Sequence, residues 1–192
     1  MAATAPLLVE LLTEELPPKA LRVLGYAFAD ALVTDLREDG FVPSDGKFTV
    51  FASPRRLGVL IDDVVARSPD KPVEFKGPSV KVGLSADGSP TQALMHFARK
   101  QGVSVDQLTR VQDGKQELFV YRAMAAGREL ATSLDAKIEA ALGRLPTPKA
   151  MRWGERDVEF VRPARGLVML HGERVVPGKV LGLESGRVTR GH

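Results

Sequence analysis

Cysteine is absent from the 192 residues, which excludes a disulfide framework, a thiolate metal site and a cysteine nucleophile, and suits a reducing cytosol. Histidine is scarce: His96, His171 and His192 stand far apart in no metal-ligand spacing, and a structural or solvent role is expected for each. No Walker-type phosphate loop and no strand followed by GxGxxG opens a helix, so a self-contained nucleotide site is not expected. Ser53 and Ser79 lack the setting of a nucleophile elbow. No catalytic residue and no metal ligand is expected in the chain. Long apolar runs are also missing. Leu7 to Leu12 is broken by Glu10, no basic segment precedes it, and no stretch approaches the roughly 20 apolar residues of a membrane helix. Neither a signal peptide nor a membrane partner is expected, and the expected location is the cytoplasm.

What remains is an ordinary folding composition. Apolar residues make up 44% and charged residues 27%, far from the charge-rich make-up of disordered chains, and the length suits one domain or two small lobes. Net charge is only +3, but it is unevenly spread. Residues 1–143 carry 17 Lys and Arg against 19 Asp and Glu, whereas residues 144–192 carry 10 against 5. A basic excess in the last quarter either faces a polyanion, releasing counterions as phosphates are neutralised, or is a solvated surface.

Residues 7–12 read as a strand, and Thr13-Glu14-Glu15-Leu16-Pro17-Pro18 as a helix entry, with acids near the positive end and prolines where no amide donor is needed. Leu21, Leu24, Phe28, Leu32 and Leu36 form one helical stripe closing on Gly40 as a left-handed cap. The β-rich runs 48–51 and 57–61 flank Ala52-Ser53-Pro54-Arg55-Arg56, which predicts a hairpin and so a βαββ opening unit. Arg67 to Pro72 reads as a connector and Lys76-Gly77-Pro78-Ser79 as a fixed turn. A short helix over 90–101, a hairpin turn at Asp113-Gly114, and a helix carrying Leu130, Leu134, Ile138 and Leu142 follow. Short strands are expected at 158–161, 167–170 and 180–183, with turns at His171-Gly172-Glu173 and Ser185-Gly186. The expected class is α+β, with mainly antiparallel sheets and amphipathic helices packed on them. Two lobes are expected: residues 1–66 as a βαββ lobe, and residues 67–192 as a second α+β lobe with a basic carboxyl-terminal segment.

Arg55 and Arg56 near a hairpin tip either clasp phosphate oxygens with their forked donors or form an exposed turn without a ligand. Lys149, Arg152, Trp153, Arg162 and Arg165 either pair with phosphates and stack an unpaired base, or leave Trp153 in the core and the charges in water. Arg187, Arg190 and His192 extend the basic bias. Glu14 and Glu15 are expected to serve the helix start, since neighbours on a helix diverge.

Six blocks, read in order, carry a family resemblance: residues 13–19 (TEELPPK), 51–57 (FASPRRL), 76–78 (KGP), 148–154 (PKAMRWG), 160–163 (FVRP) and 187–192 (RVTRGH). Together they resemble the amino-terminal part of the bacterial glycyl-tRNA synthetase β subunit. The resemblance implies an enzyme that joins glycine to its tRNA through a glycyl-adenylate, using ATP and Mg²⁺, with that chemistry on a separate α subunit. It further implies a heterotetramer in which β serves tRNA recognition and assembly. The family's β subunit continues through HD-like and anticodon-binding regions. The implied partners are therefore the α subunit, glycine tRNA and the remainder of β. These residues alone are expected to bind no cofactor and to charge no tRNA. The alternative is an assembly module that docks α without touching tRNA.

Overall fold

The computed structural model describes residues 3–146, 151–152 and 159–191. Twelve strands and four α-helices are seen among them: β1 (Thr4–Thr13), α1 (Leu21–Asp39), β2 (Phe48–Ser53), β3 (Arg56–Val65), β4 (Lys71–Ser79), α2 (Val80–Gly83), α3 (Gln92–Gln101), β5 (Thr109–Asp113), β6 (Gln116–Ala125), α4 (Leu134–Gly143), β7 (Met151–Arg152), β8 (Glu159–Phe160), β9 (Ala164–His171), β10 (Arg174–Val175), β11 (Lys179–Val180) and β12 (Leu183–Gly186). The α+β class holds, and antiparallel pairing dominates. The exception is β12, which runs parallel to β9.

The chain divides into two compact units, Met1–Pro69 with Gly127–His192, and Asp70–Ala126. This departs from lobes at 1–66 and 67–192, because residues after 127 rejoin the first unit. The reason is a ladder: β1 pairs antiparallel with β3 on one side and with β9 on the other. A seven-stranded sheet results, ordered β11-β12-β9-β1-β3-β2, with β10 also on β9.

Alternation along β1 sends Leu7, Val9 and Leu11 inward and leaves Leu8, Glu10 and Leu12 half-buried on the other face. The inward set meets Leu57, Val59 and Ile61 of β3 and Leu167 and Met169 of β9, and the core is completed by α1 and α4. The predicted helical stripe accounts for α1: Leu24, Phe28, Leu32 and Leu36 are fully buried, each contributing roughly 1.5–3 kcal/mol. Gly40 caps it at φ 84°. Leu134 and Ile138 of α4 enter the same core, and Arg144 and Lys137 bind Asp35 and Asp39 of α1.

The helix entry differs from expectation. A 3₁₀ turn, Pro18–Ala20, precedes α1, and no acid lies in the first turn of either. Glu14 and Glu15 therefore cap nothing; the paired prolines delay the helix past them.

The second unit is a three-stranded antiparallel sheet, β4-β6-β5, over a small core of Leu94, Ala98, Leu108 and Phe119. The predicted Asp113-Gly114 turn joins β5 to β6, with Gly114 at φ 61°. Residues 76–79, expected as a turn, instead end β4 across a register shift. An edge strand tolerates Pro72 and Pro78, which need no outward donor. Gly77 is required there because a Cβ would lie 2.7 Å from the Phe97 ring.

Near the carboxyl end, Leu181 (φ 49°) and Gly182 (φ 76°) form a two-residue hairpin between β11 and β12. The run 180–183 is thus a turn flanked by strand residues, and Ser185-Gly186, expected as a turn, belongs to β12. The turn at His171-Gly172-Glu173 forms as expected, with Gly172 at φ 58°.

Where the chain leaves and re-enters the first unit, Ser68 N–H donates to the Arg128 carbonyl and Arg128 N–H to Ser68 Oγ, both at 2.9 Å. Ser68 is buried, and a Cβ on Gly127 would collide with its carbonyl oxygen. Gly127→Ala is expected to lower the stability of this unit by about 1–3 kcal/mol, as overpacking against fixed backbone does. A urea titration checks it; an unchanged midpoint would show that the staple is not tight.

Candidate nucleic-acid interface

The register of β1 brings three loops to one end of the large sheet. Leu12 pairs with Arg56 at the start of β3, and Thr13 with Ala164 at the start of β9. Backbone hydrogen bonds then fix residues 13–16 between the other two loops: Thr13 N–H to the Arg55 carbonyl (3.0 Å), Glu14 N–H to Pro163 (2.8 Å) and Leu16 N–H to Pro54 (2.6 Å). Prolines at 54 and 163 offer carbonyls without competing donors.

A cleft of about 680 Å³ opens here, lined by Thr13, Ser53, Arg55, Arg56, Arg165, Gly166, Val188 and Arg190 among others. A neighbouring hollow of about 450 Å³ is lined by Glu14, Glu15, the two prolines, Arg55 and Arg162. Five of the nine cationic and aromatic residues singled out in the sequence thus meet at one end of the sheet: Arg55, Arg56, Arg162, Arg165 and Arg190. Arg187 does not join them; it donates to the Glu173 carbonyl at the far end of β9. Lys149, Trp153 and the side chain of Arg152 lie outside the described residues, as does His192, which is not among the nine.

Carboxylates that sequence reasoning did not connect to these cations interlace them. Glu15 takes Arg55 at 3.1 Å, Glu14 pairs with Arg165, and Glu10 takes Arg56 at 3.6 Å. Glu10 also accepts the Thr189 hydroxyl, while Arg56 donates to the Arg190 carbonyl at 2.8 Å. Exposure separates the pairs into two kinds. The side chains of Arg56 and Glu10 are 32% and 12% exposed, so their pair fastens residues 189–190 onto the sheet. Those of Arg55 and Arg165 are 52% and 73% exposed, and ion pairs so wet contribute only about 0.2–1 kcal/mol. An incoming phosphate can therefore exchange for Glu14 or Glu15 at small cost.

Arg162 is held differently, donating through Nε to the Glu15 carbonyl (2.9 Å) and through a terminal nitrogen to Val161 (3.2 Å). Thr13 is 3% exposed, and its hydroxyl has no hydrogen-bond partner among the described residues. His171 plays a structural part away from the cleft: its Nε2 lies 2.8 Å from the Val64 carbonyl and donates to it. No group of three or more His, Asp or Glu among the described residues is placed to hold a metal ion.

The family model described as glycyl-tRNA synthetase beta subunit matches residues 7–192. The chain belongs to that family. It is 47% identical over 189 residues to the glycine–tRNA ligase beta subunit of Neisseria meningitidis serogroup C, covering 98% of this chain and 27% of that protein. It is 47% identical to the Aromatoleum aromaticum beta subunit over all of this chain and 28% of that protein, and 44% identical to the Edwardsiella ictaluri one over 96% and 27%. The chain thus spans little more than a quarter of the length of these relatives. Among the described residues, no helix is long and apolar enough to cross a membrane.

Within this member of the family, Glu10→Gln removes the charge that holds both Arg56 and Thr189. Cleavage by trypsin after Arg187 and Arg190 is expected to accelerate about tenfold, the equivalent of about 1.4 kcal/mol, while cleavage within α1 stays unchanged. Equal protection in both proteins would show that Glu10 does not fasten the segment.

Proposed function

We propose that this chain works within glycine–tRNA ligase as an RNA-backbone contact of the β subunit, and that the arginine cleft at the end of the sheet is where phosphates sit. The observation that carries this reading is the placing of Arg55 and Arg165, both more than half exposed, on the rim of one cleft. Guanidinium forks match phosphate oxygens, and their contacts fix position without reading sequence. Arg162 and Arg190 add positive charge at the margins. Lys149, Arg152 and Trp153 remain proposed tRNA contacts on residue type alone. Arg187 is assigned instead to bracing the β9–β10 turn.

Glycine activation with ATP and Mg²⁺ belongs, in this proposal, to the α subunit of a cytoplasmic heterotetramer. The remainder of β supplies further tRNA contacts. Support for that division is the lack of any phosphate loop in these 192 residues. A second reading is favoured by the three carboxylates already seated on the arginines: the chain docks the α subunit and leaves tRNA to other parts.

Titration of glycine tRNA and a non-cognate tRNA across several salt concentrations distinguishes the two. Arg55→Ala with Arg165→Ala is expected to weaken both tRNAs alike and to lower the log–log salt slope by about 2, near 0.9 for each phosphate left without its guanidinium. Unchanged affinity and slope, with capture of the α subunit intact, would favour the docking role.

Glu14→Gln with Glu15→Gln tests the same cleft from the other side. Freeing Arg165 and Arg55 from their resident carboxylates is expected to tighten tRNA binding by roughly tenfold at low salt, the effect fading as salt screens it. Weaker binding in this variant would mean that the acids organise the site rather than compete for it.

A further inference from the structure

The arginine cleft has an apolar part that phosphate contacts leave unused. Leu12 and Leu183, both half-buried, line it together with Val188, which is 78% exposed. The segment that carries Val188 is fastened on its far side: the Thr189 hydroxyl is tied to Glu10, and the Arg190 carbonyl accepts from Arg56. An aliphatic side chain is thus held at the cleft while its neighbours are anchored to the sheet.

The floor beside it is bare. Gly166 of β9 stands opposite Leu12 of β1 in the ladder, and a Cβ there would come within 3.3 Å of Leu12 Cδ1. Any larger residue at 166 would therefore crowd the Leu12 side chain in the space that now opens as the cleft. The result is a hollow of about 680 Å³ with an apolar floor and guanidinium groups on its rim, Arg55 and Arg165 being more than half exposed. Its size falls within the roughly 300–1,000 Å³ of small-ligand sites.

This pairing of surfaces matches one nucleotide: a planar base that sheds water on an apolar floor, and a phosphate that accepts from a guanidinium fork. A duplex offers only the second part, because its bases are stacked on one another and the major groove of A-form RNA is too deep and narrow for side chains to read. We propose, resting on the phosphate-binding reading of this cleft, that its occupant is an unpaired ribonucleotide. The base lies against Leu12, Gly166 and Val188, and its phosphate sits at Arg55 and Arg165. The cleft then selects unstacked RNA over helical RNA without reading a base edge.

Fluorescence anisotropy on the 192-residue chain tests this with a short oligouridylate, the same strand without bases, and the strand paired in a duplex. The first two carry the same phosphates, so a difference between them belongs to the base. Oligouridylate is expected to bind about tenfold more tightly than the abasic strand, and the ratio should persist as salt rises, since the base releases no counterion. At high salt, where phosphate contacts fade, the single strand should outlast the duplex. Gly166→Val suits a strand and fills the floor, and should bring the ratio down to about one. Val188→Ala changes a position too exposed to disturb the fold, and should lower the ratio roughly threefold; it decides the matter even if Gly166→Val lowers the urea midpoint. Equal affinity for the base-bearing and abasic strands overturns the inference and leaves the phosphate reading standing. So does a ratio untouched by Val188→Ala, which would put the base elsewhere, or a duplex that survives high salt as well as the single strand. Absence of binding by all probes, or binding indifferent to Arg55→Ala with Arg165→Ala, removes the phosphate reading itself and the inference with it.

Discussion

β1 holds ladder partners on both flanks, and nearly every other feature of the larger unit follows from that. Because β3 and β9 both run against it, the loops that leave β1, enter β3 and enter β9 emerge at the same end of the sheet. Arginines separated by more than a hundred positions become neighbours through that register. The same alternation that buries Leu7, Val9 and Leu11 turns Glu10 to the opposite face, where it meets Arg56 across the ladder and Thr189 from the chain's end. Core and cleft are two faces of one strand.

The cleft combines charges of different character. Arg56 and Glu10 are half-sequestered and structural, while Arg55 and Arg165 stand in water opposite acids they hold only weakly. Such an arrangement keeps guanidinium groups oriented before any ligand arrives, and it lowers the net attraction that bare arginines would exert on every polyanion. Under the proposed function, the same pairs would both orient the guanidinium groups for a polyphosphate backbone and weaken their hold on casual anions.

Local patterns are legible in the sequence wherever one element determines its own shape. The stripe from Leu24 to Leu36 marks α1, the runs around Arg55 mark the β2–β3 hairpin, and Asp113-Gly114 marks the turn into β6. What is not legible depends on partners distant along the chain. Nothing near residue 164 says that β9 belongs beside β1, so the return of residues 127–192 to the first unit cannot be read from local pattern. Pro72 and Pro78 disguise β4, whose edge position excuses them. Leu181 sits at positive φ only because the hairpin around it demands such a residue, and its apolar neighbours point to a strand. For the site, a basic bias near the carboxyl end is visible, yet Glu10, Glu14 and Glu15 as its counter-charges are not. Adjacent acids before two prolines look like a helix entry until the loops on either side are in place.

The staple at Ser68 and Gly127 has a bearing on the order of events during synthesis. The intervening unit is continuous in sequence, so all of its strands have left the ribosome before the last ladder of the larger unit exists. Until residues 164–171 emerge, β1 has one naked flank, and the nascent chain must keep it from straying. Joining the two ends of the inserted segment at a single buried serine brings residue 127 back beside residue 68, and so shortens the search by which β9 finds its berth.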